Sequence, residues 1–223
     1  MVKRAPALKH DGRRWQRRPD DRPRLLMASA LKLVKRHGYR RVRLEDIEKD
    51  AGVSKATVYH YFADKDDLLT KSVASRMAER QVDVERRVAE LGGTAADRLH
   101  LFLRDFWSMS LTSQSGLWQR VVIAEMPTEA PHVFAAWAQG LAQRWRFVER
   151  LINEGQRAGE FRRGADAAVA SRFILSALAH QALLHVHLGV RRIAPCDNDR
   201  LFDSSFNQWL DGLGRSSRAV SRR

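Results

Sequence analysis

Apolar residues recur every three or four positions along almost all of residues 22–213, and no stretch alternates apolar and polar residues between hairpin turns. The pattern predicts an all-α chain of about nine helices. The first spans 22–37, with Leu26, Ala30, Leu33 and Val34 on one face, Pro23 in the first turn and Gly38 as the stop. A short second helix over 44–51 turns Ile47 and Ala51 inward and ends at Gly52. Ser54 suits the cap of a third over 55–62. A long fourth begins at 65 and carries Leu69, Val73, Met77, Val84, Val88 and Leu91 up to Gly92-Gly93. Longer helices follow over 94–110, 116–125, 132–157, 166–188 and 200–213, with Pro127 and Pro131 bracketing a loop.

At 223 residues the chain has room for one core of ordinary size, or for a small domain attached to a larger one. Its single cysteine, Cys196, excludes a disulfide framework and any cysteine-rich zinc site. Charge is unevenly spread. Residues 1–80 hold 21 Lys+Arg against 11 Asp+Glu, residues 81–211 hold 15 of each, and residues 212–223 hold four arginines and no acid. A basic first third on a neutral body points to a polyanion partner. Residues 1–22 lack the apolar run of a secretory signal and read as a basic arm able to follow phosphates. Residues 173–190 contain no Asp, Glu, Lys or Arg, but three histidines and a glutamine interrupt them. They read as a buried helix rather than a membrane span. The expectation is a soluble, cytoplasmic protein that makes no membrane contact.

The informative segment is 44–62. Two short helices must cross at a steep angle within a tight turn, which is the mechanics of a helix-turn-helix. Gly52 supplies the positive φ, Ala51 lets the helices approach, and Val53 fills the angle between them. Ile47, Val58 and Phe62 join the core of the first helix. The outward residues of the second helix of the pair, Lys55, Thr57, Tyr59, His60 and Tyr61, are donors and flat polar rings suited to a major groove. Lys65, opening the next helix, is placed to hold a phosphate.

Across residues 24–71 the sequence resembles the TetR family of bacterial transcriptional regulators. The resemblance rests on His37-Gly38-Tyr39, on Ile47-x3-Ala51-Gly52-Val53-Ser54, and on TVYHYFADKDDLL at 57–69. The run AGEFRRGADA at 158–167 looks like the family's linker before its dimerising helices. The family often has Thr or Ser before the second helix, as cap and phosphate contact. Arg43 stands there in this chain, which keeps a phosphate donor and gives up the side-chain cap. The resemblance implies an all-α homodimer whose N-terminal domain binds DNA and whose C-terminal bundle dimerises and holds a small-molecule inducer. The expected divisions are an arm at 1–21, a three-helix helix-turn-helix domain at 22–68, a ligand-binding and dimerisation bundle at 69–213 and a basic tail at 214–223. The function expected is a ligand-responsive repressor on a palindromic operator. The alternative is a DNA-binding protein of the same fold with no effector, such as a nucleoid or cell-division factor.

Candidate residues follow from these expectations. Arg43, Lys55, Thr57, Tyr59, His60, Tyr61 and Lys65 are the DNA-binding set. Large apolar groups on consecutive long helices nominate Phe106, Met109, Trp118, Trp137 and Phe173 as an effector site for an apolar or aromatic molecule, with His180 as polar anchor. The aromatic stripe Phe202, Phe206 and Trp209 on the last helix nominates a dimer seam. No metal or cofactor is expected. His180 and His187 are seven residues apart, about 10 Å along a helix, and no hydrolase, P-loop, zinc-protease or dithiol motif occurs, so no catalytic residue is nominated.

Overall fold

The structure, a computed structural model, describes residues 21–192 and 195–214. Apart from Asp21 and Gly214, the expected arm and tail lie outside the described residues. Ten α-helices are present among them: α1 (Arg22–His37), α2 (Leu44–Ala51), α3 (Lys55–Tyr61), α4 (Lys65–Leu91), α5 (Ala95–Ser110), α6 (Ser113–Ala124), α7 (Met126–Glu129), α8 (Pro131–Ala158), α9 (Ala167–Ala182) and α10 (Asn198–Gly212). The fold is all-α, as the periodicity predicts. The extra helix is α7, where a loop was expected. Pro127 sits in its first turn, where a missing N–H breaks no bond. The helix expected over 166–188 ends at Ala182 and widens into a single π turn, Leu183–His187.

Local chemistry explains the boundaries. Ser54, Asp64, Thr94, Thr112, Asp166 and Asp197 each accept a backbone N–H of the helix they precede. Gly52 ends α2 at φ 67°, in the left-handed region the tight turn requires. Arg43 gives α2 no side-chain cap. Asp46 compensates in part by accepting the Arg43 N–H at 2.9 Å.

Buried apolar residues form two cores. The first joins Leu26, Ala30 and Val34 of α1 to Ile47, Ala51, Val58 and Phe62, and continues through Leu68, Leu69 and Val73 of α4 into Val121, Val122, Met126 and Val133. The second holds the rest of the bundle, including Leu99, Phe102, Trp107, Phe147, Ile152 and Leu178. Helix α4 runs through both. It crosses α8 closely at Gly140, where a Cβ would lie 2.8 Å from Met77 Cβ.

The aromatic stripe of α10 is a correction. Phe202, Phe206 and Trp209 are buried within the protomer instead of facing a partner. Phe202 and Phe206 stack at 6.0 Å, the His100 ring meets Phe206 edge-on at 5.0 Å, and Trp209 Nε1 donates to the Ala170 carbonyl at 3.1 Å. The reason is geometric: α10 lays its apolar face across α5 and α9 of its own chain, leaving residues such as Asp203 and Asn207 outward. Phe206→Ala should therefore lower folding stability by about 3–5 kcal/mol, read as an earlier denaturant midpoint. The association state of the folded protein by sedimentation should not change.

Candidate nucleic-acid interface and interhelical cavity

Helix α3 is held from beneath by Val58, which is fully buried, and at its end by buried Phe62. That fixes what points outward. Lys55, Tyr59 and His60 are exposed, and Thr57 and Tyr61 are half-buried. Lys55 Nζ lies 5.9 Å from the Tyr59 ring centroid and 3.8 Å from Glu45, an exposed pair that water screens and a phosphate can compete with. The Thr57 hydroxyl is 2.9 Å from Ser54 Oγ at the start of the helix. Tyr61 packs edge-on against His60, 4.7 Å between centroids, and leans on Phe62. Arg43 is exposed just before α2 and, like Arg41, has no ion pair among the described residues. The structure thus gathers Lys55, Tyr59, His60 and Arg43 on exposed surface of the two short helices.

Lys65 is a correction. The residue is half-buried, and its ammonium has partners within the protomer. It donates to the carbonyls of Tyr39 and Val42, each at 3.1 Å, and lies 3.8 Å from the Tyr39 ring centroid. Burial pulls its pKa below the ordinary lysine value. The physical reason is the turn between α1 and α2, whose carbonyls need donors that no helix supplies. The same turn is fastened from the other side. Glu125 accepts the backbone N–H groups of Tyr39 and Arg40, at 2.8 and 3.3 Å, Arg40 pairs with Glu129, and the Tyr39 hydroxyl donates to Asp66. Burial, then the Asp66 carboxylate, push the Tyr39 phenol well above its usual pKa, so it remains a donor.

A cavity of about 390 Å³ lies among α1, α4, α5, α6, α8 and α9. Phe106, Met109, Trp118, Trp137 and His180 line it. Phe173 does not, and is 66% exposed. The α9 residues that line the cavity are Leu175, Ser176, Ala179 and His180, all C-terminal to Phe173, which stands nearer the start of the helix and faces solvent. The lining also holds Lys35, Arg76, Arg80 and Arg144. Burial, then the charge of Arg80, pull Arg144 down to about 10, which leaves it cationic at neutral pH. The register of these residues in the sequence signals their place. Arg144 follows Leu141 by three and Trp137 by seven, and Arg80 follows Met77 by three, so both fall on apolar helix faces.

The family model described as bacterial regulatory proteins, tetR family, matches residues 26–71. The chain carries a TetR-family DNA-binding domain over these residues. It is a DNA-binding transcriptional regulator. Among its relatives, the fatty acid metabolism regulator protein of Bacillus subtilis (strain 168) is 23% identical over 158 residues, covering 69% of this chain and 77% of that one. The HTH-type transcriptional regulator EthR of Mycolicibacterium smegmatis is 27% identical over 130 residues, 56% of each chain. The fold matches that of the solved transcriptional regulator FadR from Bacillus subtilis in complex with stearoyl-CoA, with TM-score 0.69 and 20% identity, over 85% of this chain and 98% of that one. Among the described residues, no cluster of His, Cys, Asp and Glu fits a metal ion, and no helix is long and apolar enough to cross a membrane.

Within this TetR-family DNA-binding domain, Lys65 and Lys55 should behave differently. Lys65→Met should lower folding stability by about 2 kcal/mol, the scale of charge-assisted hydrogen bonds, and leave the salt dependence of DNA binding unchanged. Lys55→Ala should leave stability nearly unchanged and flatten the log K–log salt slope by about one unit per subunit. Denaturation and a DNA-binding salt series on each variant check both.

Proposed function

We propose that this TetR-family protein is a homodimeric repressor that binds a palindromic operator through α3 and releases it when a small molecule with an apolar body occupies the interhelical cavity. The observation that carries the reading is that α6, which contributes Trp118 and Val122 to the cavity wall, ends at Glu125, the residue bonded to the turn between α1 and α2. A ligand that prefers a shifted α6 would thereby move the helix-turn-helix segment, and lower DNA affinity by its differential affinity for the two arrangements. The named function of the Bacillus subtilis relative and the stearoyl-CoA bound to the solved FadR support a small-molecule effector with an apolar chain. A cavity of this size weighs against the effector-free alternative. In this reading Lys55 and Thr57 meet base edges, and Arg43, Tyr59 and His60 hold the backbone.

The seam of the proposed dimer moves from α10 to the outer face of α9. Val169 and Phe173 stand 62% and 66% exposed there, one helical turn apart. A second copy across a two-fold axis covers such a row with the same row.

Selection of bound sequences from random DNA by the full-length protein should return an inverted repeat whose half-site centres lie one helical turn apart, about 34–36 Å. A motif without two-fold symmetry would overturn the dimeric reading. Phe173→Glu should give folded monomers by sedimentation and weaken binding to the selected sequence. Thr57→Ala should relax the preference within each half-site.

A further inference from the structure

The cavity carries a charge pattern that the reading above leaves unused. Four cations border it, Lys35 on α1, Arg76 and Arg80 on α4 and Arg144 on α8, and no Asp or Glu is among its lining residues. Arg144 is 8% exposed. Among the described residues its guanidinium makes no hydrogen bond or ion pair, and the Phe106 ring, 5.9 Å away, is what it meets. Asp105, the nearby carboxylate, pairs with Arg87. Arg80 also has no ion pair among the described residues, and Arg76 approaches only Glu79, at 4.0 Å. Trp145 lines the same cavity, and its buried Nε1 donates to no acceptor. A guanidinium taken from water without an acceptor is strongly unfavourable. A planar donor fork of this kind fits a carboxylate or phosphate with two parallel bonds. Beside these cations the lining offers apolar surface from Trp118, Trp137, Met77 and Leu141.

We infer that the effector is an amphiphilic anion, an organic acid whose head is held at Arg144 and Arg80 and whose apolar body lies between Trp118 and Trp137. The inference rests on the cavity being the effector site, as proposed above. A neutral molecule of the same shape would fill the apolar half and leave Arg144 without an acceptor. The charge also gives the ligand a hold on the DNA-binding segment. Lys35 belongs to α1, lies 5.9 Å from the Trp118 ring centroid, and has its pKa lowered by burial and then by Arg76 and Arg80. An anion between these groups replaces their mutual repulsion with attraction and draws α1 toward α8.

The test is a titration of the full-length protein with decanoate, decyl phosphate and 1-decanol, followed by the emission of the cavity tryptophans. Both anions should bind more tightly than the alcohol by about ten-fold or more, as charge-assisted bonds exceed neutral ones. The tighter anion identifies the head as carboxylate or phosphate. Arg144→Met should largely erase the preference and leave decanol affinity unchanged. Arg80→Met, at the exposed mouth, should reduce the preference in the same direction and serves if Arg144→Met does not fold. Equal binding of all three probes by the unmodified protein, or a preference that survives both substitutions, overturns the anion assignment and leaves an effector cavity standing. Binding of none of the three overturns the cavity reading and the assignment with it.

Discussion

The carboxylate of Glu125 accepts the N–H groups of two consecutive residues, Tyr39 and Arg40, and so binds the end of α6 to the turn that launches the helix-turn-helix. Charge-assisted bonds to backbone are among the stronger polar contacts a protein makes, and they weaken steeply once the geometry opens. Gly38 is shaped around this contact. Its φ is 84°, and a Cβ there would fall 2.7 Å from Glu125 Oε1. Lys65 and Asp66 secure the other side of the turn through its carbonyls and the Tyr39 hydroxyl. The orientation of α2 and α3 thus depends on a few polar groups that reach in from α4 and α6. From the turn itself, Tyr39 and Val42 add buried contacts to the first core.

The helix-turn-helix was legible in the sequence because its determinants are local. Gly52, Ala51, Ser54 and the Ile47–Val58 pairing act within a dozen residues, and each does in the structure what its chemistry suggests. The long helices were legible for a similar reason, since a period of 3.6 needs no tertiary information. What periodicity cannot say is which partner an apolar face meets. The stripe of α10 and the exposed row of α9 look alike as sequence, yet Phe206 is packed inside the protomer and Phe173 is in solvent. The α9 row was hidden because its helix is apolar nearly all round, so no face of it stands out. Lys65 misled for a different reason. A lysine at a helix start next to a DNA-reading helix suggests a phosphate, and only the fold reveals two carbonyls closer at hand.

The cationic lining shows how a feature can be present in the sequence and still escape a reading by type. Arginines ordinarily belong to the surface and enter a sequence reading as net charge. Their register says otherwise, because Arg80 and Arg144 continue the apolar rows of α4 and α8 that line the cavity. One turn before Arg144, Gly140 brings the two helices together over Met77, which lines the same cavity.

The first core has a consequence for how such a protein can be recombined. Its apolar residues come from α1 to α3 and from the start of α4, but also from Val121, Val122, Met126, Ala130, Val133 and Ala136 far along the chain. A cut after residue 68 therefore divides the sequence at a convenient place and the core at an inconvenient one. Exchange of the first 68 residues for those of another regulator would set a foreign surface against these six side chains. Volume mismatches there carry the penalties of overpacking or cavity formation. Exchange of the exposed positions of α3 alone leaves that seam untouched. With α3 as the proposed reader of DNA, specificity is thus free to drift by single residues within one short helix, while the helix-turn-helix unit as a whole is bound to the body it packs against.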